Sequence, residues 1–236
     1  MRIDSHQHFT AEYSPQLLHP ILKRNRFDAT VCVGAPAALP DYVKALVVPD
    51  DLQSPNLPAL LDELQLHPRF RGLCYAGDGA PPLAALTELA RRDLTLDLPP
   101  RPEFVPAIAE RFPALRLVLD HVGRPSLMTR PFDAWARDLE IAAQHPELCI
   151  KVSGLITDAP TRWHADQFRP VVQHALRTFG PGRMMYGSDW PSYLPEGTWK
   201  ESLAAFTQSI GAIPGDLREH FLGLTAARFY RIEVEA

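Results

Sequence analysis

Eight short apolar runs alternate with helix-forming segments along 236 residues, and this alternation constrains the fold more than any other feature. The runs are RIDSHQH (2–8), ATVCVG (29–34), ALVVP (45–49), RGLCY (71–75), LTLDL (94–98), LRLVLDH (115–121), LCIKVS (148–153) and RMMYGSD (183–189). Several are almost continuously apolar, as parallel strands covered on both faces are. Helical segments lie between them. Ser54-Pro55-Asn56 precedes LPALLDELQLH, Pro102 opens PEFVPAIAERF, Pro131 leads into FDAWARDLEIAAQH, and His164-Ala165-Asp166 leads into QFRPVVQHALRTF. WKESLAAFTQSI and DLREHFLGLTAARFY follow the last strand. Proline and a capping Ser, Asn or Asp at these starts are helix-initiation signals. The connection PAALPDYVK is too short for a full helix. Strands alternating with helices build right-handed βαβ units, and eight of them in a chain of this length predict a (β/α)8 TIM barrel, an α/β fold, with residues 1–236 as a single domain. A doubly wound open sheet is the rival, but no Gly-rich phosphate loop follows any strand.

Composition excludes several function classes. The chain is 46% hydrophobic and 22% charged, with 24 Lys+Arg against 28 Asp+Glu, and it carries no basic stripe of the kind nucleic acid selects. No apolar run approaches the ~20 residues of a membrane helix. MRIDSHQHF lacks the apolar core of a signal peptide. Cys32, Cys74 and Cys149 are odd in number, far apart and set in apolar runs, which predicts buried free thiols and a reducing, cytoplasmic setting.

Barrel chemistry gathers at the carboxyl ends of strands. Strand 1 ends in His6 and His8, strand 5 carries Asp97, strand 6 ends in Asp120-His121, strand 7 carries Lys151 and Ser153, and strand 8 ends in Ser188-Asp189-Trp190. Period-two alternation puts Asp4, His6 and His8 on one face of strand 1. His-x-His by itself is more often structural than not, and a terminal Asp often only caps a turn. Lys151 and Asp97 inside apolar strands are harder to explain so, because a buried charge needs a partner. In a closed barrel strands 1 and 8 are neighbours, so His6, His8 and Asp189 point into one mouth.

The stretches IDSHQHF, DLQSPNLPALLDELQLHPRFRGL, FPALRLVLDHVGRP, CIKVSGL, FGPGRMMYGSDWP and AARFY run in order through nearly the whole chain. In them the sequence resembles the amidohydrolase superfamily, in its amidohydrolase-related branch of sugar-lactone and pyrone-dicarboxylate lactonases. The resemblance implies a (β/α)8 barrel. It implies that His6 and His8 are metal ligands, that Asp189 activates the attacking water and also touches the metal, and that His121 polarises the substrate carbonyl or helps hold the metal. Arg124, Lys151 and Trp190 fall on motif positions near the mouth and, with Asp97, are candidate substrate-binding groups. Two departures from the binuclear members stand out: strand 4 ends Leu73-Cys74-Tyr75 without a bridging ligand, and strand 5 offers only Asp97. The resemblance therefore implies one divalent metal, zinc by its preference for imidazole and carboxylate, or a metal-free site.

The expected reaction is hydrolysis of a small cyclic ester, a sugar-acid lactone, with Asp189 as general base. Non-oxidative decarboxylation of an aromatic acid on the same scaffold is the second reading, separable by its product, and a non-catalytic ligand-binding barrel is the third. A small-molecule substrate is the expected partner.

Overall fold

The computed structural model describes residues 1–124, 132–157, 159 and 162–233. Eight parallel strands form one sheet in sequence order: β1 (Ile3–Gln7), β2 (Ala29–Val33), β3 (Val43–Asp50), β4 (Phe70–Tyr75), β5 (Thr95–Leu98), β6 (Leu117–Leu119), β7 (Leu148–Val152) and β8 (Met184–Tyr186). Each matches one of the eight apolar runs, and every ladder from β1–β2 to β7–β8 is parallel. The chain is a (β/α)8 barrel.

Helices cover the strands: α1 (Pro15–Arg24), α2 (Leu57–Leu64), α3 (Leu83–Arg91), α4 (Val105–Arg111), α5 (Phe132–Ala142), α6 (Ala165–Phe179), α7 (Trp199–Ile210), α8 (Gly215–Glu219) and α9 (Thr225–Phe229). No helix joins β2 to β3. Helix α1 was not among the segments with a recognised start signal. Ser14 at its N-cap makes no side-chain capping bond, and Leu18 and Leu22, one turn apart and buried, hold it to the sheet instead. Helix α3 likewise starts at Pro82 without a capping bond. Pro131, expected to open α5, lies outside the described residues. The terminal run DLREHFLGLTAARFY is not one helix: a π-helical turn, His220–Leu224, separates α8 from α9.

The larger core lies between strands and helices. A smaller cluster joins Val31, Val47, Val118, Cys149 and Met185 to Ala226, Phe229 and Tyr230 of the terminal segment. That segment closes the amino ends of the strands. Arg71 Nε donates to Tyr230 O (2.7 Å) and Arg116 Nη1 to Phe229 O (2.5 Å). The three cysteines are free; Cys32 and Cys149 are buried, whereas Cys74 is half-buried.

The last seam, between β8 and β1, has no regular ladder beyond a single Gln7–Trp190 bridge. It closes through mixed bonds: Asp189 N–H to His6 O (2.9 Å), His8 N–H to Trp190 O (2.8 Å), Ser5 Oγ to Tyr186 O (2.8 Å) and Ser188 N–H to Asp4 Oδ1 (2.7 Å). Asp4 does not share the face of the two histidines. It turns to the seam, where Trp199 Nε1 also reaches its Oδ2 (3.3 Å), and the β1–β2 register shifts between Asp4 and Gln7. A shift of one residue reverses which side chains face inward, so simple alternation fails there. Gly187 permits the close approach: a Cβ would stand 2.6 Å from His6 Cβ.

Burial raises the Asp4 carboxyl to about 6 from an ordinary 3.8. A group raised in this way supports folding below its unfolded value and loses that support as pH rises through the folded value. Asp4→Asn keeps an acceptor for Ser188 and removes the charge. Its unfolding free energy relative to the parent should therefore climb by about 2–3 kcal/mol between about pH 4 and pH 7.5. Urea unfolding of both proteins across that range checks this; a pH-independent difference would contradict it.

Candidate active site

The carboxyl ends of β1, β6, β7 and β8 bring their polar residues together, as strand order requires. His6 Nε2 lies 3.1 Å from His8 Nε2 and 3.8 Å from Asp189 Oδ1, and His8 Nε2 lies 3.6 Å from the same oxygen. The His6 and His121 rings meet edge-on with centroids 4.8 Å apart. Among the described residues, His6, His121 and Asp189 form a cluster whose ligand atoms all lie within 4.8 Å of one another. His8 joins it from the β1 side.

Each of these side chains is held from behind. His8 Nδ1 faces Val33 O at 2.8 Å, and a carbonyl partner assigns a ring proton to Nδ1, so Nε2 turns inward as a lone pair when the ring is neutral and as a donor to Asp189 when it is protonated. Ser153 Oγ bonds His121 Nδ1 (3.0 Å), and Thr157 Oγ1 donates to Asp189 Oδ2 (2.7 Å), leaving Oδ1 to the histidines. Thr157 carried no motif signal; only its position after β7 finds it. Backbone strain concentrates at the same place. His121, Val122 and Arg124 have φ of 51°, 55° and 41°, and Asp189 has 63°. Left-handed conformations cost a non-Gly residue about 1–2 kcal/mol each, and such strain persists where surroundings impose it. Here Trp135 Nε1 donates to Val122 O (3.0 Å) beneath the turn.

Electrostatics follow from burial and neighbours. Burial pulls His6 down to about 3, so its imidazole is neutral at pH 7. Burial would raise Asp189, but the His8 hydrogen bond and the His121 and His6 rings outweigh it and hold the carboxyl well below the usual range. Burial would lower His8, but the Asp189 carboxylate outweighs it and raises the ring. A lasting carboxylate thus faces two or three imidazoles. Only one hydrogen fits between two Nε2 atoms 3.1 Å apart, and a cation satisfies both lone pairs and the carboxylate together. The donor set suits a divalent metal, zinc among them.

The structure brings His6, His8, His121 and Asp189 into one mouth. Lys151 and Asp97, expected among substrate-binding groups, lie beneath it with no exposed surface. Lys151 Nζ donates to Asp97 Oδ2 (2.6 Å) and lies 3.0 Å from Asp120 Oδ1 and 3.1 Å from His6 Nδ1. Asp120 gave only its place in a motif as a signal, yet it reaches within 3.5 Å of His6 Nδ1, a carboxylate neighbour that favours the ring hydrogen on Nδ1 and leaves Nε2 to the mouth. Trp190 is buried and meets the rings of Phe9 and Tyr13 edge-on. Arg124 is exposed at the end of the strained turn.

Known proteins resemble this chain in sequence and in fold. The amidohydrolase family model (Amidohydro_2) matches residues 74–232. An L-fucono-1,5-lactonase of Burkholderia ambifaria is 31% identical over 283 aligned residues, covering 98% of this chain and 96% of that protein. The crystal structure of an amidohydrolase from Burkholderia multivorans with bound zinc has a TM-score of 0.85 at 28% identity, over 99% of this chain and 100% of that one. The 2,6-dihydroxybenzoate decarboxylase from Rhizobium matches at a TM-score of 0.64 and 13% identity over 98% of both chains, a likeness of fold. With a family model over most of its residues and a 31%-identical relative along nearly its whole length, the chain belongs to the amidohydrolase family.

Proposed function

We infer that this chain is a hydrolase of small cyclic esters, with a sugar-acid lactone as its substrate. The observation that carries the reading is the 31% identity to an L-fucono-1,5-lactonase across nearly the whole of both chains. The mouth of four converging side chains supplies the chemistry. Asp189, held ionised, accepts a proton from the attacking water through Oδ1 as the water oxygen bonds to the lactone carbonyl carbon. His121, braced by Ser153, faces the developing oxyanion. The tetrahedral adduct then collapses, the ring C–O bond breaks, and Asp189 returns its proton to the departing ring oxygen to give the hydroxy acid. His6, His8 and Asp189 are the residues that would hold a zinc ion, with His121 in reach as a further ligand. Such an ion would supply a Lewis acid that lowers the pKa of water and polarises a carbonyl. Trp190, packed by Phe9 and Tyr13, shapes the wall beside Asp189, and Arg124 stands at the rim. Three free cysteines fit a cytoplasmic setting, and among the described residues no helix is long and apolar enough to cross a membrane.

A panel of sugar-acid lactones, assayed with and without chelator, tests the function directly: opening of at least one sugar-acid lactone is expected, and inertness of the folded protein towards all of them would refute it. Asp189→Asn keeps size and hydrogen bonding but cannot accept the water proton, and should lower kcat/KM by about 10²–10⁴-fold. Near-parental turnover would remove Asp189 from the chemistry. Gly154→Ala offers a subtler check. Gly154 sits at φ +66° and a Cβ there would meet His121 Nδ1 at 2.8 Å. The substitution should displace His121 and cost roughly 100-fold in kcat/KM with the fold retained by circular dichroism. Elemental analysis should find about one zinc per chain, lost in both His6→Ala and His8→Ala. Full lactone hydrolysis by a zinc-free, chelator-treated parent would overturn the metal assignment.

A further inference from the structure

Directly beneath the mouth lies a charged cluster that the proposed hydrolysis does not use. Lys151 Nζ is fully buried; it donates to Asp97 Oδ2 (2.6 Å), pairs in charge with Asp120 Oδ1 at 3.0 Å and stands 3.1 Å from His6 Nδ1, so groups from three different strands or strand ends surround it. Tyr230, from the segment that closes the far end of the barrel, donates its OH to Asp97 Oδ2 (2.8 Å) and lies with its ring 5.6 Å from the ammonium. Half-buried Cys74 stands opposite Asp97 in the β4–β5 register. Two carboxylates facing one buried cation are donors that suit a divalent metal, with an ammonium in the metal's place. The other Asp97 oxygen, Oδ1, is buried and has no hydrogen-bond partner. The cage thus has more acceptor capacity than one ammonium uses.

We propose that Lys151 is the resident cation of this barrel: its ammonium fills a second cation position formed by Asp97 and Asp120 beneath His6, and so limits the chain to one exchangeable ion at the mouth. The reason is exclusion by charge and volume. An ammonium and a divalent ion cannot share two carboxylates at these distances, and a buried carboxylate pair cannot remain ionised with neither. Burial would pull the Lys151 ammonium down, but Asp120 and Asp97 outweigh it and keep it charged. The inference uses the hydrolase reading only to place the first ion at His6, His8 and Asp189.

The test counts metal and needs no substrate. Parent and Lys151→Ala are stripped with chelator, dialysed against Co²⁺, and assayed by elemental analysis and by the visible absorption of bound Co²⁺. Lys151→Ala should hold about one equivalent more than the parent, whatever the parent holds, and adding Asp97→Asn should abolish the gain. An unchanged count in folded Lys151→Ala would overturn the proposal. If Lys151→Ala does not fold in metal-free buffer, recovery of a cooperative thermal transition on refolding with Co²⁺ supports it, and no recovery with Co²⁺, Zn²⁺ or Mn²⁺ overturns it. The two readings fail separately. An extra equivalent in the variant with no lactone hydrolysis by the parent refutes the lactonase reading alone, and hydrolysis by the parent with no extra equivalent refutes this one alone.

Discussion

Closure of the barrel at the β8–β1 seam is the constraint on which the rest of the structure depends. A parallel ladder there would need two strands in continuous register, but β8 has three residues and β1 has five. The gap is bridged by a side chain. Asp4 takes the Ser188 amide and the Trp199 indole, at the cost of burying a carboxylate. Once Asp4 has drawn the end of β8 across, the amide of Asp189 bonds His6 O and that of His8 bonds Trp190 O. These bonds fix the three mouth residues relative to one another. The same contact that completes the fold therefore sets the geometry of the site.

Below the mouth the barrel interior changes character. Its amino-terminal half is apolar and plugged by Phe229 and Tyr230, while its middle holds a lysine between two aspartates. Buried ions of this kind are costly unless each is paired, and here Lys151 of β7 pairs with Asp97 of β5 and with Asp120 at the end of β6, while Asp97 Oδ1 is left without a hydrogen bond. Its charge also reaches the mouth. His6 is touched from below by Lys151 and Asp120 and from above by His8 and Asp189, so the position of its ring depends on both layers. Left-handed backbone at His121 and Asp189 adds to this picture, since each is a residue that would relax elsewhere if its neighbours allowed it.

Much of this was legible in the sequence. Eight short apolar runs, most of them separated by helix-forming segments, specified the strands and hence the barrel, because a strand buried on both faces leaves a compositional mark that neighbours cannot alter. His6, His8, His121 and Asp189 were visible because barrel topology sends every strand end to one rim, so position in the chain translates into position in space. Helices α1 and α3 were harder to read. They lack side-chain caps and are held by burial of Leu18, Leu22 and Leu89, which is a tertiary effect.

What the sequence determined by itself was the strand count, their parallel order and which polar groups stand at or near the strand ends, all consequences of periodicity and connection length. Only the tertiary structure decided which polar residues face the mouth and which lie beneath it. Asp4 left the face of the histidines because the β1 register slips by one residue, an event that leaves no trace in composition. Lys151 and Asp97 read as rim residues by position, yet they pair under the rim, because a lysine surrounded by apolar strands is most stable where two carboxylates already lie within hydrogen-bond reach. Thr157 and Tyr230 became part of the arrangement through contacts with Asp189 and Asp97 across 32 and 133 positions of chain. Such long-range pairings depend on how strands pack, and packing is a property of the folded chain as a whole.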